Sequence, residues 1–295
     1  MTENKFKGIL AALITPFDAQ GEVNYAETRH LVRHLIQKGI DGFYVCGSTG
    51  EAFLLSEDER KRILDCVLEE NNGEKLVLAH VGSISTREAQ RLAVHASAAG
   101  ADAVSAISPF YYKFKQEEIV GYYLDISNAV PAPRFIYNFP NQSGFSLTPD
   151  LLDRICRGGN IAGVKFTSNN FFDLESMKSR HPELTIWNGF DEMLLSGLAA
   201  GADGAIGSTY NVNSPIALHV YHSFLEGDIA GAQQWQHQIN AMLTIHKKHG
   251  NLKMLRRVLE LEGVHVGQSR PPFLPLGPEA DEDAQYVLEH YASVR

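Results

Sequence analysis

Three related tetrapeptides decide the fold of this chain: Gly39-Ile40-Asp41-Gly42, Gly100-Ala101-Asp102-Ala103 and Gly201-Ala202-Asp203-Gly204. Each follows a stretch with helical spacing and precedes a short apolar run. Glycine is favoured just past a helix end because it adopts the left-handed conformation without a Cβ clash, and short apolar runs are typical of buried parallel strands. The first and third copies are 162 residues apart, or six units of 27, enough for one strand, one helix and two short loops. The tetrapeptides therefore predict αβ loops of a parallel sheet.

The alternation of apolar runs and helical segments can be followed through eight units. Several helical segments follow a residue suited to an N-cap, such as Ser56, Ser85 or Thr148. Eight strands alternating with helices predict an α/β fold, a closed (β/α)8 TIM barrel rather than an open doubly wound sheet. The predicted strands are Ile9–Ile14, Gly42–Val45, Leu76–His80, Ala103–Ala106, Arg134–Tyr137, Ile161–Phe166, Thr185–Asn188 and Gly204–Ile206.

The last part of the chain shows helical spacing without any strand signal. Helices are predicted at Asp228–Lys248, Leu252–Leu261 and Glu279–Ala292, with a proline-rich stretch between the last two. We therefore expect residues 1–226 to form a catalytic barrel and residues 227–295 to form a helical extension packed on it. This extension is expected to close one side of the barrel and to support assembly.

Composition and charge exclude several classes of protein. With 44% hydrophobic and 21% charged residues, the chain is close to the globular average, which excludes disordered, collagenous and coiled-coil proteins. The net charge of -9 comes without a basic cluster, so nucleic acid is not an expected partner. The longest apolar run, Ile9–Ile14, is too short to cross a membrane, and the first residues lack a signal-peptide pattern. We expect a cytoplasmic protein with no membrane partner.

Cysteine and histidine give no metal site. Cys46, Cys66 and Cys156 are too scattered for a disulfide framework or a zinc motif and are expected to be reduced and buried. Three histidine pairs have helical spacing, but none forms an HExxH motif, and all are assigned to the outer surface of helices. These pairs are His30/His34, His219/His222 and His246/His249. A zinc-dependent aldolase is therefore disfavoured.

One lysine stands out from the twelve in the chain. Lys165 lies late in the apolar strand Ile161–Phe166, where it would point into the barrel mouth, the end of a TIM barrel that carries catalytic groups. A buried lysine tends to lose its proton, and a neutral amine can form a Schiff base with a carbonyl substrate. A strand lysine paired with a carboxylate is an equally good interpretation of its position.

Other candidate groups follow neighbouring strands. Tyr137 ends the strand before that of Lys165 and could relay a proton, although packing is the commoner role for such a tyrosine. The loop Gly47-Ser48-Thr49-Gly50-Glu51 offers hydroxyls, backbone N–H groups and close approach, and suits a carboxylate better than a triphosphate; a capped tight turn is the alternative. Later in the chain, Gly189-Phe190-Asp191-Glu192 could bind a polyol or interact with a helix dipole.

Together, four motifs resemble the N-acetylneuraminate lyase branch of the family that also contains dihydrodipicolinate synthase. The resemblance runs from about Lys7 through the C-terminal helices, and its most specific elements are the loop Gly47–Glu51 and the strand-end lysine. The loop after Tyr137 carries Gln142 where the dihydrodipicolinate synthase branch carries a substrate-binding arginine, which disfavours that activity. The four motifs are Gly47-Ser48-Thr49-Gly50-Glu51, Tyr137-Asn138-Phe139-Pro140, Gly163-Val164-Lys165-Phe166-Thr167-Ser168 and Gly189-Phe190-Asp191-Glu192.

The resemblance implies a class I aldolase that cleaves N-acetylneuraminate reversibly to pyruvate and N-acetylmannosamine, without a metal or other cofactor. Lys165 would form the Schiff base and Tyr137 would move the proton at the C4 hydroxyl. The expected substrate-binding residues are Ser48 and Thr49 for the carboxylate, and Thr167, Gly189, Asp191, Glu192 and Ser208 for the sugar chain.

The resemblance also implies a homo-oligomer, most simply a homotetramer, in which Tyr111 could reach a neighbouring subunit's site. An exposed aromatic cluster at a subunit contact is the alternative explanation of Tyr111 and Tyr112. Two other functions remain open from the sequence. One is a related pyruvate-dependent aldolase or dehydratase acting on 2-keto-3-deoxy sugar acids, and the other is a non-catalytic sensor of a sugar acid.

Overall fold

A closed barrel of eight parallel strands forms the centre of the molecule. The computed structural model describes residues 5–293, in which each strand pairs with the next in chain order and β8 pairs with β1 to close the barrel. The predicted TIM barrel is confirmed. The strands are β1 (Gly8–Ala12), β2 (Gly42–Val45), β3 (Leu76–His80), β4 (Ala103–Ile107), β5 (Arg134–Asn138), β6 (Ile161–Phe166), β7 (Thr185–Asn188) and β8 (Gly204–Gly207).

Helices surround the barrel and continue after it. Single-turn 3-10 helices occur at Ala52–Leu54, Asp191–Met193 and Pro278–Ala280, and a π-helical turn at Leu288–Ala292. The α-helices are α1 (Tyr25–Gln37), α2 (Glu57–Asn71), α3 (Thr86–Ala99), α4 (Gln116–Ala129), α5 (Pro140–Ser143), α6 (Pro149–Gly158), α7 (Phe171–Arg180), α8 (Leu194–Ala199), α9 (Tyr210–Leu225), α10 (Ile229–His249), α11 (Asn251–Leu261) and α12 (Asp281–Val287).

Most predicted strand limits agree with the structure to within one residue, and β1 is the exception. It ends at Ala12 rather than at Ile14. The Ile14 N–H donates to the side-chain oxygen of Asn211 at 3.2 Å instead of to a neighbouring strand. The chain therefore leaves the sheet at this point.

The repeated tetrapeptides adopt the expected loops. Their first glycines, Gly39, Gly100 and Gly201, have φ values of 84°, 92° and 100°, the left-handed conformation expected after a helix. The aspartate of each copy has a role that the sequence did not reveal, because its carboxylate accepts a backbone N–H from the preceding strand. The pairs are Asp41 with Ile9 (2.8 Å), Asp102 with Val77 (2.9 Å) and Asp203 with Ile186 (2.8 Å).

Two layers of apolar side chains hold the barrel together. The outer layer lies between the strands and the helices, and it includes residues of the extension such as Met242, Leu255 and Val287. The inner layer fills the barrel and is rich in aromatic rings, with Phe135 and Trp187 packed at a centroid distance of 4.8 Å. The helical extension therefore shares a continuous core with the barrel.

Two predictions about the burial of side chains were wrong. Cys46 and Cys66 are buried and all three cysteines are free, but Cys156 is only half-buried on α6, beside the exposed end of that helix. His246 was assigned to the surface and is fully buried, since α10 turns this face towards α11. Within residues 5–293, no helix combines the length and apolar character that a membrane span requires.

Candidate active site

The alternation of side chains along β6 places Lys165 inside the barrel mouth. Val164 and Phe166 belong to the outer apolar layer, so Lys165 between them points inward. In the ladder, Tyr137 of β5 and Trp187 of β7 are the direct neighbours of Lys165. Lys165 and Tyr137 therefore leave adjacent strands side by side, as predicted.

Lys165 is buried against aromatic rings rather than against a carboxylate. Its Nζ atom lies 4.0 Å from the ring centroid of Tyr44 and 4.2 Å from that of Tyr137. Among residues 5–293, no carboxylate oxygen comes within ion-pair distance of Nζ. Burial lowers the pKa of Lys165 to about 7, and the more distant charge of Asp191 opposes this shift. Of the two interpretations left open by the sequence, the geometry favours a partly neutral amine.

The phenol of Tyr137 is buried beside two hydroxyl groups. Burial raises its pKa to about 12, while the neighbouring side chains of Ser48 and Thr167 act in the opposite direction. Phe139 stacks on the Tyr137 ring at a centroid distance of 5.8 Å, which limits the rotation of that ring. Tyr137 is therefore protonated at neutral pH, with the hydroxyl groups of Ser48 and Thr167 beside it.

The loop Gly47–Glu51 has a strained backbone that brings it close to the barrel. Cys46 and Glu51, on either side of its glycines and hydroxyls, have φ values of 56° and 57°, which are unfavourable for residues with a Cβ. Gly47 lies against the Tyr44 ring, where a Cβ would come within 2.6 Å of a ring carbon. The Thr15 hydroxyl donates to the Gly50 carbonyl at 2.8 Å and anchors the other end.

A buried ion pair from the extension fixes this loop, and the sequence analysis missed it. Arg256 of α11 donates to a carboxylate oxygen of Glu51 at 2.6 Å, and the backbone N–H of Arg270 donates to the other at 3.0 Å. Arg256 also donates to the carbonyl of Thr15 at 2.9 Å. The side chains of Glu51 and Arg256 are almost completely buried. The only available signal was a glutamate in a loop of small residues, which does not identify a partner 205 residues away.

The part of the mouth that follows β6, β7 and β8 holds the predicted sugar-binding residues. Gly189 packs on Thr167 so closely that a Cβ would come within 1.8 Å of the threonine hydroxyl. Asp191 follows it and is buried, accepting hydrogen bonds from the backbone N–H of Thr209 at 2.8 Å and the hydroxyl of Ser208 at 3.2 Å. The structure thus brings Thr167, Gly189, Asp191 and Ser208 together.

The two acidic side chains on this side differ in their surroundings. Burial, aided by the negative charge of Glu192, raises the pKa of Asp191 to about 6, although hydrogen bonds from Thr209 and Ser208 oppose the shift. Glu192 is half-exposed, with Lys247 of α10 at 3.8 Å from its carboxylate. Both carboxylates can accept hydrogen bonds from hydroxyl groups.

Two further predicted residues lie on the exposed rim. Tyr111 is 74% exposed and contacts Tyr112 edge to face at 5.0 Å, so it is not packed into the mouth of its own barrel. Gln142 is exposed on the short helix α5 and carries no charge.

Two inward side chains at the mouth were not predicted. Tyr44 is the last residue but one of β2 and donates to the Ser105 hydroxyl at 3.1 Å. His80 ends β3, with Nδ1 donating to the Cys46 carbonyl at 2.9 Å and Nε2 accepting from the Ile107 N–H at 3.3 Å. Burial lowers the pKa of His80 well below its ordinary value, so it is neutral. The strand-end rule that selected Tyr137 could have found both.

Comparison with known proteins decides the family. The model of the dihydrodipicolinate synthetase family matches residues 5–291. The chain belongs to the dihydrodipicolinate synthetase family. The N-acetylneuraminate lyase of Escherichia coli (strain SE11) is 41% identical over 289 residues, which cover 96% of this chain and 97% of that protein.

Two solved structures in this family agree closely with the fold. CdNal from Clostridium difficile, crystallised with mannosamine, is 39% identical with a TM-score of 0.95, covering 97% of this chain and 99% of its own. A catalytic lysine mutant of the Ruminococcus gnavus sialic acid aldolase is 30% identical with a TM-score of 0.94, covering 97% and 95%. The predictions of the family and of a carbon–carbon lyase are thereby confirmed.

Proposed function

We propose that the protein is a class I aldolase that cleaves N-acetylneuraminate reversibly to pyruvate and N-acetylmannosamine. The observation that carries this proposal is Lys165, which is buried beside Tyr137 and makes no ion pair within residues 5–293, while the carboxylates of Asp191 and Glu192 follow the neighbouring strand β7. An amine with a pKa of about 7 is available as a nucleophile at neutral pH. These two carboxylates form an acidic wall that suits a neutral polyol chain better than an anionic one.

The reaction begins with Schiff-base formation. Neutral Lys165 attacks the keto carbon of the open-chain sugar acid, and loss of water gives a protonated imine. Ser48, Thr49 and the N–H groups of their loop bind the C1 carboxylate and hold the keto carbon against the amine. The strained backbone on both sides of this loop supports that role, because the loop is held in place before the substrate arrives.

Carbon–carbon cleavage then uses the imine as an electron sink. The C4 hydroxyl loses its proton, the C3–C4 bond breaks, and its electron pair moves into the imine to give an enamine while C4 becomes an aldehyde. Tyr137 relays the departing proton, passing its own to the substrate carboxylate or to Ser48. Protonation of the enamine at C3 and hydrolysis of the imine release pyruvate and restore Lys165. No step needs a metal or a redox cofactor.

The outer part of the substrate is assigned to the part of the mouth that follows β6, β7 and β8. Thr167 and Gly189 would lie beside the C4 region, and Asp191, Glu192 and Ser208 would accept hydrogen bonds from the outer hydroxyls. Gln142 supports this choice of substrate, since a neutral side chain there offers no counter-charge for a second carboxylate.

Covalent trapping tests the proposed nucleophile. The protein is incubated with pyruvate and sodium borohydride, and the reduced adduct is mapped by peptide mass spectrometry. We expect a label at Lys165 and none in Lys165→Met. A label at another lysine, or no label, contradicts the mechanism and favours a non-catalytic sensor.

A substrate comparison tests the proposed specificity. The cleavage of N-acetylneuraminate is measured beside that of a six-carbon 2-keto-3-deoxy sugar acid, by the pyruvate released. We expect a higher kcat/KM for N-acetylneuraminate. A preference for the six-carbon acid assigns the protein to the alternative aldolase and contradicts the roles of Asp191 and Glu192.

We also propose that the protein acts as a cytoplasmic homotetramer in which Tyr111 approaches the site of a neighbouring subunit. The support is an exposed aromatic cluster on the rim that includes Tyr111, Tyr112 and Phe114. Exposed apolar clusters of this kind commonly form subunit contacts. Analytical ultracentrifugation of the wild type and of Tyr111→Ser with Tyr112→Ser tests this, and a wild-type monomer at micromolar concentration contradicts it.

A further inference from the structure

A chain of hydrogen bonds runs from the helical extension to the acidic wall. His246 of α10 lies 2.9 Å, through Nδ1, from the side-chain oxygen of Asn251 at the start of α11. The Asn251 amide donates to the Ser208 hydroxyl at 3.1 Å, and that hydroxyl donates to a carboxylate oxygen of Asp191 at 3.2 Å. Two residues of the extension, His246 and Asn251, are thus linked in series to two predicted substrate-binding residues, Ser208 and Asp191.

We propose that Asn251, supported by His246, is a positioning residue that sets the preference of the enzyme for a long polyol tail. It does so by holding the Ser208 hydroxyl in one orientation against Asp191. This inference rests on the function proposed above, because it specifies how one side of the same site selects its substrate.

The direction of each hydrogen bond is determined by the groups involved. A side-chain amide oxygen can only accept, so His246 donates through Nδ1–H and carries its lone pair on Nε2. Nε2 is buried and has no hydrogen-bond partner in the part of the chain that the structure describes. Burial lowers the pKa of His246 to about 4, in agreement with a neutral ring. His246 therefore acts as a fixed donor that orients the Asn251 amide.

The hydrogen-bonding groups of Ser208 and Asp191 that still face the mouth determine which substrate fits. Because Asn251 donates to the Ser208 oxygen, the Ser208 proton points to Asp191, and Ser208 and Asp191 both present lone pairs to the mouth. A wall of acceptors selects ligands that bring several hydroxyl donors. Without Asn251, the Ser208 hydroxyl can rotate away from Asp191 and present its proton instead, so the match to a polyol is lost.

The position of Asp191 depends on the same extension through a second contact. Gln236 of α10 donates to the backbone carbonyl of Asp191 at 3.1 Å. On the barrel side, the Asp191 carboxylate packs directly on Gly207, where a Cβ would come within 2.1 Å of it. Asp191 is thus held in place, and the orientation of Ser208 is the variable that Asn251 controls.

Two substitutions at residue 251 test the proposal. Asn251→Val removes both hydrogen bonds. Asn251→Asp removes only the donation to Ser208, and it should fold because a carboxylate is favourable in the first turn of α11. The kcat/KM for N-acetylneuraminate and for a six-carbon 2-keto-3-deoxy sugar acid is measured for each variant, together with the Kd for pyruvate by borohydride trapping.

We expect both variants to lose about 10- to 100-fold in kcat/KM for N-acetylneuraminate, because the substrate loses a hydrogen bond at the site of the charged Asp191. The six-carbon acid lacks the outermost hydroxyls and should lose less than about threefold, the size of a minor surface effect on this scale. The Kd for pyruvate should stay unchanged. A change in the ratio between two substrates is not expected from a residue that only stabilises the fold.

His246 is tested in the same way with a matched control. His246→Leu should shift the ratio in the same direction, whereas His237→Leu, at an exposed position of the same helix, should leave it unchanged. Equal losses for both substrates, or an unchanged ratio in Asn251→Asp, overturns the inference. A wild-type enzyme that does not cleave N-acetylneuraminate contradicts the proposed function instead, so the two failures are distinguishable.

Discussion

Lys165 illustrates how burial alone can prepare a reactive group. A charged ammonium loses its hydration inside the barrel mouth, and the aromatic rings of Tyr44 and Tyr137 replace only part of that stabilisation. The neutral amine has no such loss, which is why the pKa falls to about 7. No neighbouring cation is needed to produce this shift.

The pKa of Lys165 predicts the pH dependence of imine formation. Only the unprotonated amine attacks, so the rate constant should rise about tenfold per pH unit below pH 7 and level off above it. The measurement is the rate of pyruvate trapping by cyanoborohydride between pH 5.5 and 9, the range of about two units around the pKa. A rate that keeps rising to pH 9 would show an ordinary lysine.

Removing the phenol of Tyr137 should affect bond cleavage more than binding. For Tyr137→Phe we expect kcat for N-acetylneuraminate cleavage to fall by about 10²- to 10⁴-fold, the usual contribution of a proton-transfer group. The Kd for pyruvate should change less than about fivefold, a free-energy change of about 1 kcal/mol. Steady-state kinetics and trapping on the same preparation provide the comparison, and parallel losses in both quantities would assign Tyr137 a structural role.

The residues that the sequence could reveal share one property, which is a position at the end of a buried strand. Lys165 and Tyr137 were found by this rule, and Tyr44 and His80 could have been. Arg256 and Asn251 could not, because they act through contacts with residues far away in the chain, and the spacing within a helix contains no information about such a partner.

At the scale of elements, α11 connects the extension to the loop that is expected to bind the substrate carboxylate. Arg256 reaches from this helix into the barrel mouth and places its charge on Glu51. A buried ion pair is weak support for stability by itself, but breaking it leaves an uncompensated charge in the core. We therefore expect α11 and the loop Gly47–Glu51 to unfold together.

Two adjacent arginines on α11 allow a matched test. Arg256→Met leaves the Glu51 carboxylate buried and unpaired, and should lower the free energy of unfolding by about 3–5 kcal/mol. Arg257→Met removes an exposed pair with Asp281 and should cost about 0–1 kcal/mol. Urea denaturation followed by circular dichroism measures both. Similar effects for the two variants would show that the buried pair is not required.

The elements themselves were largely predictable because apolar periodicity and capping residues act locally. Ser56, Ser85 and Thr148 are N-caps in the structure, each accepting a backbone N–H in the first turn. The early end of β1 was not predictable, since a side chain of α9 binds the Ile14 N–H in place of a strand. Local pattern fails where a long-range side chain replaces a backbone partner.

On the scale of the whole molecule, the extension and the barrel are parts of one hydrophobic core. Helix α10 packs along α9, and α11 contacts both, so residues beyond 226 cover an apolar surface of the barrel. The eight repeats predicted the architecture correctly, and the last helices were expected to pack on the barrel. Which of their apolar residues join the core depends on long-range contacts that no local pattern specifies.

A chain shortened to residues 1–226 tests this dependence. We expect it to be insoluble or to lack cooperative unfolding, because it exposes the outer apolar layer and leaves Glu51 unpaired. Expression followed by thermal unfolding, monitored by circular dichroism beside the full chain, provides the measurement. A soluble fragment with a sharp transition would instead make the barrel an independent domain.

Helix α11 also bears on how this fold could acquire new substrates. Asn251 and Arg256 lie five positions apart on the same helix, about 7.5 Å along its axis. In the proposed function, Asn251 positions the residues that bind the sugar tail, and Arg256 holds the loop assigned to the pyruvate end, which is common to every substrate. A substitution in the first turn of α11 can therefore change the substrate specificity without changing the Schiff-base chemistry at Lys165. For enzyme engineering, this separation makes residue 251 a better starting point for a library than the residues that surround Lys165.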